Sequence, residues 1–294
     1  MKLALLGDIH SNYKALERCL SYCKEIMVDG YIFLGDYISD CPYPQRALNL
    51  IRGISKQYPS WIIRGNREDY QLKHYEEESD LWSYSSNTGS LLYTYENLTM
   101  EDFDFFQECE ISKVISIDGF EDFTICHGSP TSNRELLHIG SEQSKQRLME
   151  LKTQLLVCAH THIQGIYEYE GKTLINPGSV GIATGVAGQA QLAILHGDHM
   201  KWEPEFLSLD YDIKALIEEF NASDLPLKSK TFSKIIQYVL ISGENILPDV
   251  YFLTEELTLK EYGNIPEGNL PDECWEQAFE QVVKSMNQRK RGTQ

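Results

Sequence analysis

The sequence predicts an α/β domain with a helical C-terminal extension, and three observations carry that reading. Short apolar runs alternate with amphipathic segments through residue 66. Closely spaced strand-like runs joined by short turns follow residue 112, and only helical periodicity is found beyond residue 210.

Taken in order, KLALLGD reads as a buried strand, and residues 12–28 carry Leu16, Leu20 and Cys23 at helical spacing. YIFLGD is a second strand. Residues 44–57, entered through Cys-Pro-Tyr-Pro, form a second helix, and SWIIRGN is a third strand. This βαβ pattern predicts a largely parallel sheet. Residues 76–98 are acidic, rich in Ser, Asn and Tyr, and weakly periodic, so an irregular excursion or lid is expected there. Thr99 is placed to cap a helix over MEDFDFFQEC.

KVISID and DFTICHG then read as paired strands, and a helix is expected over 142–152. LLVCAHTH, GIYEYEG, KTLINPG and QAQLAILHGDHMKWEPEF follow as strands with EG and GD turns. The expectation is a switch to mainly antiparallel pairing. YDIKALIEEF, SKTFSKIIQYVL and DECWEQAFEQVVKSM read as helices, and the final NQRKRGTQ as a disordered basic tail. The expected division is 1–209 for the main domain and 210–294 for the extension. Whether the extension caps a crevice or mediates self-association into a homo-oligomer is left open.

The chain has 294 residues, 42% hydrophobic and 24% charged, and is ordinary for a water-exposed globular fold. Its formal net charge of -18 argues against nonspecific nucleic-acid binding or an anionic membrane surface, and locally favours divalent cations. No stretch near the N-terminus has signal-peptide form and no apolar run is long enough to span a bilayer, so a cytoplasmic location is expected. The seven cysteines are scattered and several lie inside apolar runs, which predicts buried reduced thiols. Cys19 and Cys23 share a helix face but lack the second pair of a zinc site.

The chemistry-bearing residues fall at strand ends. Asp8 and His10 follow the first strand, Asp36 the second, Asn66 the third, His127 a later one, and His160 and His162 a fifth. In open α/β sheets such ends converge on the ligand crevice. Singly, each has an ordinary explanation as a cap, a turn residue or a core histidine. Four of eight histidines grouped with two aspartates and an asparagine at strand ends form a mixed nitrogen and oxygen set suited to manganese, iron or zinc.

Asp8-Ile9-His10, Gly35-Asp36, Gly65-Asn66, Cys126-His127-Gly128 and Ala159-His160-Thr161-His162 resemble, in order and spacing, the motif set of the calcineurin-like metallophosphoesterases. INPGSV is similar to the small bacterial and archaeal phosphodiesterase-like branch. The likeness covers roughly residues 1–206 and implies a four-layer αββα sandwich, two mixed sheets flanked by helices. It also implies two divalent transition-metal ions, manganese foremost, with iron, zinc, nickel or cobalt as alternatives. The first would take Asp8, His10, Asp36 and His162; the second would share Asp36 and take Asn66, His127 and His160. The implied reaction is in-line attack on a phosphodiester or nucleotide-type phosphate by a bridging hydroxide between ions about 3.5 to 4 Å apart. Because the histidines must be neutral to bind, activity is expected to fall below about pH 6.

The chain departs from the pattern at Arg67, where many members carry a histidine that assists the leaving group. Arginine stays protonated and cannot serve as that acid, but it can bind phosphate oxygens and stabilise transition-state charge. Its other reading is a local ion pair with Glu68 or Asp69. Loss of the acid favours good leaving groups, so phosphoanhydride hydrolysis, as of diadenosine polyphosphates, is a second function. A weakly active metal- or nucleotide-binding module is a third. His74 and His138 are candidate replacement acids. Ser11 stands where glycine is frequent and caps the first helix with Asn12. YISDCPYP lacks the Asp-Arg-Gly of the protein phosphatases, and Tyr37 and Tyr43 are candidates for stacking on a base.

Overall fold

A computed structural model describes residues 1–77, 81–198, 201–265 and 269–292. β1 (Lys2–Leu6) pairs in parallel with β2 (Gly30–Phe33), which pairs in parallel with β3 (Ser60–Ile62). The crossovers are α1 (Tyr13–Glu25) and α2 (Pro44–Ser55). α1 starts at Asn12, whose side chain accepts from the Ala15 amide, so the expected cap falls to Asn12. On the other side of β1, β9 (Gln189–Gly197) and β10 (Trp202–Asp210) complete the sheet antiparallel, in the order β10-β9-β1-β2-β3.

The second sheet contains β4 (Ser112–Ile115), β5 (Phe123–Cys126), β6 (Leu155–Val157), β7 (Gly165–Tyr169) and β8 (Lys172–Asn176), in the order β4-β5-β6-β8-β7. Its centre, β5-β6-β8, is parallel, and only β4 and β7 run antiparallel at the edges. Mainly antiparallel pairing was expected for this half of the chain, and it is found at β4-β5, β7-β8, β9-β10 and β9-β1, with β5-β6 and β6-β8 as the exceptions. FTIC and LLV are buried along their whole length, the continuous apolar pattern of parallel strands covered on both faces. The EG turn between β7 and β8 is as read: Glu170 and Gly171 both have positive φ, matching the right-handed strand twist.

Strand alternation separates the layers. Leu3 and Leu5 of β1, Ile32 of β2, Phe123 and Ile125 of β5, Val157 of β6 and Ala193 of β9 meet in one apolar core between the sheets. Ala4 and Leu6 face the opposite way, onto Leu16, Cys19 and Leu20 of α1 and Leu48 and Ile51 of α2. α6 (Glu142–Glu150) covers the far face of the second sheet through Leu148, against Leu156 and Leu174. Helix, sheet, sheet and helix give the αββα sandwich.

α3 (Asn66–Glu77) reaches only the first two residues of the region expected to be irregular; α4 (Gly89–Glu96) lies within it, and residues 81–88 and 97–98 belong to no regular element. α3 escapes a periodicity reading because few of its positions are apolar, and residues 78–80 of the expected excursion lie outside the described residues. α5 (Met100–Glu108) begins with the expected Thr99 cap, reciprocated by Asp102. The extension comprises α7 (Ile213–Ala222), α8 (Leu225–Ser242), α9 (Leu247–Tyr262) and α10 (Asp272–Gly292). α10 runs through 287–292, which the sequence suggested were disordered; residues 293–294 and the His199-Met200 part of the GD turn lie outside the described residues. A further core joins Leu216, Phe220, Ile235, Val250 and Trp275 of these helices to Cys41, Tyr93 and Ile182 of the preceding chain.

Among the described residues no helix is long and apolar enough to cross a membrane. All seven cysteines are buried and unbridged. Burial pushes the Cys19 and Cys23 thiols up, so both behave as core residues.

Candidate metal centre

β1, β2, β5 and β6 stop at one edge of the sandwich, and the loops after them, with the start of α3, bring all seven predicted side chains together. Two groups of donors result: Asp8, His10 and His162, and beside them Asp36, His127 and His160. Within each group the candidate ligand atoms lie within 4.8 Å of one another. Asn66 joins the second group, its Oδ1 3.1 Å from His127 Nε2. The groups adjoin, since His127 Nε2 is 3.5 Å from Asp36 Oδ1 and 3.9 Å from Asp8 Oδ1.

The backbone is bent to aim these groups. Asp8, His10, Asp36, His160 and His162 all have φ between 49° and 66°, in the left-handed region. For residues with a Cβ this costs on the order of 1 kcal/mol each, and such strain persists only where the surroundings over-determine it. The surroundings are specific. Asp8 N donates to Gly35 O, His10 N to Asp36 O and His160 N to Asp8 Oδ2. Residues 176–182 hold the rest: Asn176 Nδ2 donates to Ala159 O, Ser179 Oγ to Asp8 O, and Ile182 O accepts from His162 Nδ1 at 2.8 Å. Gly65 lies against Asp36 so closely that a Cβ would overlap the carboxylate.

The donor set fits cations. His127 Nδ1 gives its proton to Leu34 O at 2.8 Å and His162 Nδ1 to Ile182 O, which leaves both Nε2 atoms as lone-pair donors in the neutral rings. His162 Nε2 faces His10 Nε2 at 3.1 Å, and His127 Nε2 faces His160 Nδ1 at 3.2 Å and Asn66 Oδ1. Asp8 Oδ1 is buried with no hydrogen-bond donor. Electron-rich atoms thus converge, an arrangement stabilised by positive charge between them. Burial pushes His127 down, but Asp36 and Asp8 outweigh it and lift the imidazole to about 9. Burial raises Asp36, and His127, His10 and Arg67 more than offset this, holding it low. His160, disfavoured as a cation by burial and by His127, falls to about 4. A divalent ion would take over the charge balance that protons supply there.

Two further acids, missed in the sequence, organise the site. Asp40 is buried, and its Oδ2 lies 3.1 Å from His10 Nδ1 and 2.9 Å from an Arg67 guanidinium nitrogen. Glu68 is fully buried and accepts from the amides of Gly65, Asp36 and Tyr37, tying the ends of β2 and β3 together. Asp69 pairs with Arg64 at 2.6 Å. Neither local ion pair considered for Arg67 therefore forms. Arg67 turns to Asp40 and Asp36, which outweigh burial and raise its pKa further. The signal for Asp40 was a second acid shortly after Asp36, and for Glu68 an acid two positions past Asn66.

The other candidates resolve plainly. Tyr37 is core, its hydroxyl set between the Phe33 and Ile63 carbonyls with its one proton shared between them, so it offers no face to a base. Tyr43 carries the Arg46 guanidinium 4.5 Å above its ring. His138 is exposed on a loop, and His74 stacks on Trp82 with centroids 3.9 Å apart.

Residues 1–200 match the calcineurin-like phosphoesterase superfamily domain. An uncharacterized protein of Methanocaldococcus jannaschii is 24% identical over 239 residues, 76% of this chain and 93% of that one. A match to a PP2A-like serine/threonine-protein phosphatase of Candida albicans is 26% identical over 95 residues but spans only 28% of this chain and 23% of that protein. Among solved structures, a hypothetical protein of Pyrococcus horikoshii superposes with a TM-score of 0.70 at 20% identity, covering 83% of this chain and 99% of that one. A metallophosphoesterase of Sphaerobacter thermophilus gives 0.62 at 20% identity, covering 80% and 99%. At these identities the structural likeness concerns the fold.

Proposed function

The chain belongs to the calcineurin-like phosphoesterase superfamily and is a metal-dependent phosphoric ester hydrolase, and from that premise we propose that it hydrolyses a phosphodiester or nucleotide-type phosphate with two divalent ions. The observation that carries the dinuclear reading is the pair of adjoining donor groups, Asp8-His10-His162 and Asp36-His127-His160. Asp36 stands between them and is the candidate shared ligand, and Asn66 completes the second group. When bound, such ions supply Lewis acidity, generating a nucleophile from water near neutral pH and neutralising phosphoryl oxygens.

The remaining roles belong to the chain. The Leu34 and Ile182 carbonyls fix the tautomers of His127 and His162, and Asp40 orients His10. Arg67, charged and held by Asp40 beside Asp36, is the proposed clamp on a phosphoryl oxygen. It cannot protonate a leaving group, which favours substrates whose leaving group departs as a weak base. In this reading residues 1–209 carry the chemistry and 210–294 form a helical cap on it, supported by the core the two parts share.

The test is hydrolysis of bis-p-nitrophenyl phosphate and p-nitrophenyl phosphate with Mn²⁺, comparing wild type, Asp36→Asn and His127→Ala. Both variants should lose nearly all turnover, and equal rates in the three proteins would refute the reading. Adding diadenosine tetraphosphate separates a phosphoanhydride hydrolase from a diesterase. Metal uptake with background turnover on every substrate identifies a binding module instead.

A further inference from the structure

The geometry points to an aromatic and basic subsite beside the metal centre, which we propose receives the nucleobase of a nucleoside phosphoester. This rests on the phosphodiesterase reading above and adds the substrate's non-reacting part to it. A cavity of about 270 Å³ lies along α3, lined by Tyr70, Lys73 and His74 together with Trp82, Leu91 and Arg134. Its size is near the lower end of ligand pockets, suited to one ring system rather than two.

Three observations connect this cavity to the reacting phosphate. At 3.6 residues per turn, Asn66, Tyr70 and Lys73 share one face of α3, bordered by Arg67 and His74. Tyr70 and His74 then stand about 4.5 Å and about 10 Å along the axis from Arg67, within reach of a nucleoside whose phosphate Arg67 holds. Asn133, on the loop following His127, donates to Gly65 O and Asp69 Oδ2, so neighbouring Arg134 is pinned beside the start of α3.

The lining is preorganised for a flat, electron-rich ring. Arg134 lies 4.7 Å above the Tyr70 ring, joining a guanidinium plane to an aromatic face. Trp82 is parallel to His74 within 2° at 3.9 Å, and Tyr95 meets His74 edge-on at 4.6 Å. Tyr95 in turn packs on Phe103 of the first core. The Trp82-His74 platform is thus braced from below. Stacking on such rings tolerates any base, so the subsite would select for a nucleoside without reading which one. Lys73 and Arg134 line the cavity with one acid, Glu77, which lies 3.8 Å from Lys73 Nζ, so the lining keeps a net positive charge, carried by Arg134, for an anionic nucleotide in a chain of net charge -18.

The test compares two diesters with one leaving group, thymidine 5′-(p-nitrophenyl phosphate) and methyl p-nitrophenyl phosphate, using the Mn²⁺-loaded full chain. Wild type should favour the nucleoside diester in kcat/KM by roughly 10-fold or more, the scale of one base stack. Trp82→Ala and Arg134→Ala should collapse this ratio, and Trp82→Phe should keep most of it. Calorimetry supplies a second readout: thymidine 5′-monophosphate should bind wild type at least 10-fold tighter than inorganic phosphate, and Trp82→Ala should remove the difference. No preference in wild type, or equal losses on both diesters in Trp82→Ala, overturns the subsite while leaving the diesterase reading intact. Absent turnover with Trp82-dependent nucleotide binding upholds the subsite and overturns the diesterase.

Discussion

A single Asp40 oxygen, Oδ2, holds Arg67 at 2.9 Å while also lying 3.1 Å from His10 Nδ1. One buried carboxylate therefore positions both a candidate metal ligand and the cation nearest the centre. Replacing it by asparagine preserves the shape and removes the charge. Asp40→Asn should lower metal affinity or kcat/KM by roughly 10- to 100-fold, the usual effect of losing the partner of a ligating histidine. Metal titration of the variant together with steady-state kinetics checks this. Wild-type values in both would show that the contact is only packing.

Arg67 is tested by size and by charge. As a phosphate clamp it contributes a charge-assisted hydrogen bond, so Arg67→Ala should cost roughly 10- to 100-fold in kcat/KM. Arg67→His should recover part of the rate and improve alkyl phosphomonoesters relative to aryl ones, because an imidazole can donate a proton. A rate unchanged by Arg67→Ala would retire the clamp.

Gly65→Ala asks how tightly the ends of β2 and β3 must approach. The added methyl would meet the Asp36 carboxylate and amide, so strand ends and ligand must shift together. The expected loss is about 1 to 3 kcal/mol of stability, typical of overpacking, with weakened metal binding. Thermal unfolding and metal titration measure the two effects separately.

Asp102 predicts an acid-sensitive capping contact. Its buried carboxylate accepts from the Thr99 amide at 2.7 Å and pairs with Arg52 at 2.6 Å. Burial raises its pKa, but these partners with Gln45 more than offset that and hold it below the ordinary 3.8. A folded-state value below the unfolded one stabilises the protein above the unfolded pKa, and this is lost as pH falls through the folded one. Asp102→Asn should thus lower Tm at pH 7 by an amount equivalent to about 1 to 3 kcal/mol, and the gap should close as pH falls below 3.8. An equal gap at pH 7 and pH 3 would refute the linkage.

The candidate ligands were legible because each sits next to a strand the hydrophobic pattern reveals. Asp8 follows LALL, Asp36 follows YIFL and His127 follows FTIC, so the sheet that buries the apolar run also delivers the polar residue after it. Asp40 and Glu68 were harder to see because their roles depend on loop geometry. Left-handed backbone at Asp36, Ser39 and Asp40 folds GDYISD back on itself, and no periodicity encodes that turn. Reading Glu68 and Asp69 as partners of Arg67 assumed that neighbours in sequence are neighbours in space. The helix starting at Asn66 instead sends successive side chains to different sides. Parallel pairing of β5, β6 and β8 was present in the unbroken burial of short apolar runs, but periodicity over three or four residues is too brief to establish direction.

The Ile182 carbonyl fixes His162, while the Ile182 side chain is embedded among the helices of the extension. The part that matches the phosphoesterase domain and the helical tail are consequently not modular. A chimaera that joins residues 1–209 to a foreign tail must rebuild the floor beneath Ile182, or a histidine of the centre loses its anchor. For directed evolution, the same coupling offers a test of the proposed ligand role of His162: substitutions in the tail's interior should shift metal affinity without altering any proposed ligand.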